Sequence, residues 1–212
     1  MIDSYITVSG NAREEIVINK SRFIGYAAPC ADEQEALAML QRVREEHKSA
    51  THHCYAYIIG ENSGIMRYSD DGEPGGTAGM PIMDVMRNRS VVNCCIVVVR
   101  YFGGVLLGTG GLVRAYTRSA QAALEEAGVA RMELTSSAFA EVPYPVWDKF
   151  RYAAERLPVR IENVEYGSSV GFRLCYRSSD ENDVLPRLMD AAERKLELLP
   201  EGESFSPWEI NE

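Results

Sequence analysis

The sequence predicts an α+β protein of two domains, residues 1–130 and 131–212. Three observations predict it. Residues 96–116 read IVVVRYFGGVLLGTGGLVRAY, an apolar strand, a glycine-rich bend and a helix in one stretch. Near Arg131 the character of the chain changes. From there the apolar periodicities run strand, helix, strand, strand, helix, strand within about 80 residues, the βαββαβ plan of ferredoxin-like domains.

Taken in order, residues 5–8 and 15–18 alternate as short strands with a Gly-Asn turn between them, and residues 20–27 continue in strand character. Asp32 followed by Glu35 is a capping box for a helix reaching about His47, with Ala36, Leu37, Leu40 and Val43 on one face. Residues 52–59 form a strand and 64–68 its hairpin partner. Residues 69–79, SDDGEPGGTAG, hold four glycines and a proline, which leaves a loop. Pro81 sits in the first turn of a helix to about Asn88. The apolar run after Val91 is a strand buried on both faces. The helix that follows the bend spans about 112–127. Beyond Arg131, strands are expected at 134–142, 159–166, 170–176 and 196–205, and helices at 144–157 and 180–195.

Composition fits a soluble globular chain, 46% hydrophobic and 25% charged. Apolar runs are only a few residues long, so no membrane span is expected. The first residues lack a basic segment followed by an apolar core, so no signal peptide is expected and the location reads as cytoplasmic. Five cysteines without a CxxC spacing speak against a disulfide scaffold or a cysteine-type zinc site. The net charge of −9 argues against general affinity for nucleic acid or anionic membrane. Residues 85–124 nevertheless hold Arg87, Arg89, Arg100, Arg114 and Arg118 and no carboxylate.

The bend carries Gly103, Gly104, Gly108, Gly110 and Gly111. A glycine-rich turn into a helix N-terminus presents unpaired backbone N–H groups and a positive dipole end, an arrangement that favours phosphate. With Arg100 before it and Arg114 after it, and Arg87 and Arg89 nearby, the bend is the leading nucleic-acid or phosphate site. The competing reading is that the glycines serve only a tight turn and close packing. A second possible site is Asp70, Asp71 and Glu73 in the 69–79 loop, with His53 as a further acid–base group; the plainer reading is a solvated acidic turn. His52 and Cys54 share a strand face, opposite His53, but have no further ligands at a metal spacing. No Walker A or G-x-G-x-x-G pattern is complete, and no metal or other cofactor is expected.

Four motifs, Lys20-Ser21-Arg22-Phe23, His52-His53-Cys54-Tyr55-Ala56-Tyr57, Ser69 through Gly79, and Val99-Arg100-Tyr101-Phe102-Gly103-Gly104 with its helix through Tyr116, together resemble the IMPACT/YigZ family over about residues 15–128. The acidic remainder is similar to the C-terminal domain of its bacterial YigZ-like members. The resemblance implies a two-layer α/β unit similar to domain IV of elongation factor G, followed by a ferredoxin-like domain similar to domain V. It also implies a role in translation, since eukaryotic IMPACT relatives regulate translation under amino-acid stress. It transfers no catalytic residue.

The leading expectation is a non-enzymatic protein bound to RNA, the ribosome or a protein partner of the translation apparatus, with no membrane partner. Tyr101 or Phe102 would stack on a base where exposed. The alternative is an enzyme on a small phosphorylated or nucleotide substrate, with Asp70, Asp71 or His53 converging on Arg100. A third reading is a protein–protein adaptor docking through the acidic C-terminal domain.

Overall fold

In chain order the N-terminal part of the molecule forms β1 (Ser4–Val8), β2 (Ala12–Ile18), β3 (Ser21–Pro29), α1 (Glu33–Glu46), β4 (His52–Ile59), β5 (Ile65–Ser69), α2 (Gly79–Asn88), β6 (Cys94–Tyr101) and α3 (Gly108–Ala127). The C-terminal part forms β7 (Val129–Val142), α4 (Tyr144–Ala154), β8 (Val159–Tyr166), β9 (Val170–Arg177), α5 (Glu181–Ala191) and β10 (Glu197–Trp208). These come from a computed structural model that describes residues 2–208. The described residues divide into compact units of residues 4–131 and 132–208. With two sheets and five α-helices among them, the chain is of the α+β class.

The N-terminal sheet is antiparallel throughout, in the order β2-β3-β6-β4-β5. β6 lies in its middle, and all but its last residue are buried, as its uninterrupted apolar run predicts. Its alternate residues divide the core. Cys94, Ile96 and Val98 face α2 and α3, while Cys95, Val97 and Val99 face α1. Helices therefore cover both faces of the sheet. The two-layer unit expected from the resemblance is corrected to three layers, because β6 and its neighbours are apolar on both sides and each side needs a cover.

Local chemistry explains most element ends. The Asp32 carboxylate accepts the Glu35 N–H at 2.9 Å, and the Glu35 carboxylate accepts the Ala31 N–H at 2.8 Å, so α1 starts where the capping pair places it. β1 is not the hairpin partner of β2, as the Gly-Asn turn had suggested. Instead Ile6 bridges in parallel to Val91. The largest difference is at α3. It begins at Gly108, four residues earlier than the periodicity predicts, so Gly108, Gly110 and Gly111 are its first turn rather than part of the bend. Glycine is unfavourable inside helices by about 1 kcal/mol. Here the buried Leu112, Ala115, Tyr116 and Ala120 hold the following turns against the sheet and carry the glycines with them.

In the C-terminal unit the elements β7-α4-β8-β9-α5-β10 form a sheet in the order β10-β7-β9-β8. Both helices pack on one face, where Trp147, Phe150 and Phe172 meet with ring centroids 5.2–6.1 Å apart. β7 and β10 extend further than predicted, and α5 ends earlier, at Ala191.

Candidate functional site

Three segments far apart in sequence meet at the C-terminal end of β6. Sheet register sets His52 of β4 and Phe23 of β3 on either side of Arg100. Arg100 continues the even-numbered face of β6, so its side chain enters the layer between sheet and α3. There its Nη1 donates to Glu73 Oε1 at 2.7 Å, and the Tyr116 hydroxyl donates to the same oxygen at 2.7 Å. His52 Nε2 lies 3.8 Å from the other carboxylate oxygen. The Cys54 sulfur lies 3.0 Å from the Asp70 carbonyl and 3.4 Å from the Tyr116 oxygen, and its single proton has these two acceptors. Arg100 is 5% exposed, Glu73 8% and Tyr116 0%. Burial pushes both the Cys54 thiol and the Tyr116 hydroxyl well above their ordinary pKa, so both stay protonated and donate.

The 69–79 loop brings Glu73 there because its own carboxylates hold it. Asp70 accepts the N–H groups of Gly76 at 2.8 Å, Ala78 at 2.9 Å and Gly79 at 2.8 Å, capping α2 although its N-cap residue is an alanine. Burial alone would raise the Asp70 pKa, but the three amides outweigh it and hold the carboxyl below its usual range. Gly79 makes room, since a Cβ there would stand 2.8 Å from the Ser69 backbone. Asp71 accepts the His53 N–H at 2.6 Å and pairs with Arg44 at 3.3 Å. Its carbonyl lies 2.8 Å from His52 Nδ1, so that nitrogen carries the proton. His53 turns to the other face, where Nε2 donates to the His47 carbonyl at 3.1 Å.

The expected site residues therefore separate. Arg100 leaves the exposed arginine set, because a buried guanidinium needs a carboxylate and Glu73 supplies it. Asp70, Asp71 and Glu73 do not form a solvated acidic turn. Each is held by contacts within the fold, and His53 joins Asp71 rather than Arg100, its ring Nδ1 lying 3.8 Å from the carboxylate oxygen that accepts its backbone N–H. Arg87 pairs with Asp84 at 3.4 Å and lines a cleft of about 550 Å³ with Ser63 and Ser90. Arg89 pairs with Glu125 at 3.4 Å. Both carboxylates lie one residue outside the 85–124 window that looked free of them.

The bend itself is anchored at one end and open at the other. Phe102 N–H donates to Thr51 Oγ1 at 3.1 Å and Gly103 N–H to Ser21 Oγ at 3.2 Å. Gly103 lies so tightly against Lys20 and Ser21 that an added Cβ would fall 2.1 Å from the Lys20 backbone. Beyond it, Gly104 and Gly108 have φ of +81° and +68° with open space around them. No side chain caps the N-terminus of α3. Leu106 is 86% exposed and Phe102 47%, whereas Tyr101 is half-buried and its hydroxyl lies 2.9 Å from His47 Nδ1. Arg114 and Arg118 are exposed and have no ion-pair partner among the described residues. The sequence marked Tyr116 only as a core residue. A tyrosine on a buried helix face was the available sign that its hydroxyl has a polar partner.

Among the described residues no three His, Cys, Asp or Glu side chains are grouped to hold a metal ion, and no helix is long and apolar enough to cross a membrane.

Fold and site define an α+β protein whose glycine-rich strand-to-helix bend is braced by a buried ion pair and opens outward with two unpaired arginines. The Impact N-terminal domain family matches residues 19–124, which contain the whole of this arrangement. IMPACT family member YvyE of Bacillus subtilis is 38% identical over 182 residues, covering 86% of this chain and 84% of that one. IMPACT family member YigZ of Escherichia coli is 34% identical over 184 residues, covering 86% and 90%. A crystal structure of a hypothetical protein, 32% identical, covers 94% of this chain and 98% of its own with a TM-score of 0.62. The chain belongs to the IMPACT family.

Proposed function

We propose that this chain is a non-enzymatic, cytoplasmic RNA-binding protein that associates with the ribosome or another part of the translation apparatus. Contact is made through the open end of the bend, with Gly104, Gly108, Gly110 and Gly111 offering close backbone approach to phosphate and Arg114 and Arg118 supplying charge. The observation that carries this reading is the uncapped N-terminus of α3 beside two exposed guanidinium groups without carboxylate partners. Kinship adds the translation context. The division into an N-terminal IMPACT-type domain, residues 1–130, and a ferredoxin-like domain, residues 131–212, belongs to the same proposal. The βαββαβ order and the strand order β10-β7-β9-β8 support the second assignment. Similarity of the N-terminal domain to domain IV of elongation factor G rests on the family resemblance alone.

The enzyme alternative would use Asp70, Asp71 or His53 beside Arg100; the backbone amides that Asp70 and Asp71 accept favour a structural role for these two carboxylates. A filter-binding titration with structured RNA tests the RNA reading. Arg114→Ala with Arg118→Ala should weaken binding uniformly and flatten its dependence on salt by about 2 in the log–log slope. No binding at low salt, or binding indifferent to the double substitution, rejects it.

A further inference from the structure

We propose that the groove between α2 and α3 takes one unpaired nucleobase of a bound RNA strand, while Arg114 and Arg118 hold the phosphates beside it. This deepens the RNA reading of the bend and rests on it. The groove has a volume of about 300 Å³ and is lined by Met80, Pro81, Asn88, Val113, Thr117 and Gln121, among others. That is the lower end of the roughly 300–1,000 Å³ range of small-ligand sites, enough for a single planar ring system and too narrow for a duplex.

Helix geometry puts the recognition and charge functions side by side. Val113, Thr117 and Gln121 follow one another at four-residue intervals and line the groove from α3. Arg114 and Arg118 are one position further round α3, on its exposed side and outside the groove's lining. Met80, Pro81 and Val113 give the groove apolar surface for the faces of a base. Asn88 and Gln121 place a carboxamide on each helix, and each amide carries both donors and an acceptor. Carboxamides are the side chains that pair two-point with a base edge, adenine above all. Neither is engaged in a hydrogen bond among the described residues. Two charged side chains, Asp84 and Arg89, also line the groove, and each is paired at 3.4 Å, Asp84 with Arg87 and Arg89 with Glu125.

The test measures fluorescence anisotropy with labelled oligo-A, oligo-U and oligo-C of equal length and an RNA duplex, all at one fixed salt concentration. The expected result is single strands over duplex, with one homopolymer preferred by about tenfold. Asn88→Ala with Gln121→Ala should abolish the preference and leave the salt dependence unchanged. Arg114→Ala with Arg118→Ala should lower affinity for every strand alike and keep the preference. Both pairs are exposed, and circular dichroism confirms that the variants fold. Absence of a base preference, or a preference that survives loss of both amides, overturns the groove assignment while the arginine effect keeps the RNA reading intact. Failure of all strands to bind at low salt overturns both.

Discussion

Arg100 and Glu73 meet at 2.7 Å in a place where neither side chain reaches solvent, and a tyrosine hydroxyl joins the same carboxylate oxygen. Desolvation makes such a pair a modest contributor when whole, but removing one member strands a buried charge. Arg100→Ala and Glu73→Ala should therefore each destabilise the protein by about 3–5 kcal/mol. The double variant should cost clearly less than the sum, because each single loss counts the same orphaned partner. Urea unfolding of the three variants measures this; additivity would mean the pair is not coupled.

Loss of the Asp70 carboxylate removes an acceptor for three amides at once. Asp70→Ala should cost about 2–3 kcal/mol, more than the roughly 1 kcal/mol typical of a single helix cap, and should release Glu73 from its place. The same urea experiment checks it, and a loss below 1 kcal/mol would show that water replaces the cap without penalty.

Acid should weaken the fold over two separate pH ranges. His47 is buried against Tyr26 and Tyr101, with its nitrogens 2.7 and 2.9 Å from their hydroxyls, and burial lowers its pKa. A folded pKa below the unfolded one means that the stabilisation is complete above about pH 6.5 and is lost as the pH falls through the lower folded value. Asp70 is also depressed, so its stabilisation is complete above the carboxylate range near about 4 and is lost below it. His47→Gln should flatten the pH dependence of the unfolding midpoint between about 7 and 5, and Asp70→Asn only below about 4.

Gly103→Ala should be the most damaging glycine substitution in the bend, since its Cβ would collide with the Lys20 and Ser21 backbone rather than with a mobile side chain. Gly104→Ala meets open space and carries only the cost of its positive φ, roughly 1–2 kcal/mol. Thermal melts of the two variants should separate clearly, with the first far lower.

Phe102 is half exposed at the anchored end of the bend, and its stacking on a base should be worth about 1–3 kcal/mol. Phe102→Ala should weaken single-stranded RNA binding by that amount with little change in salt dependence. Leu106, almost fully exposed, should be replaceable by serine with a stability change within about 0.5 kcal/mol.

Much of this was legible in the residues. The unbroken apolar run marked β6, and Asp32 with Glu35 marked the start of α1. What periodicity missed were effects of distance. Glu73 lies 27 residues before Arg100, and only the β4–β6 register brings the loop that follows β5 to the end of β6. A window free of carboxylates lost that meaning because a helix turn lets Asp84 reach Arg87, and packing of α3 on α2 lets Glu125 reach Arg89. The glycines before Leu112 read as a bend because propensity opposes helix there, and tertiary packing overrode it.

A carboxylate that grips amides six, eight and nine positions downstream measures out the chain between them. The span from Asp70 to Gly79 is thus length-locked: one residue added or removed inside it would detach the grip and carry Glu73 off Arg100. This stretch reads in sequence as a tolerant surface loop, yet it must keep its count.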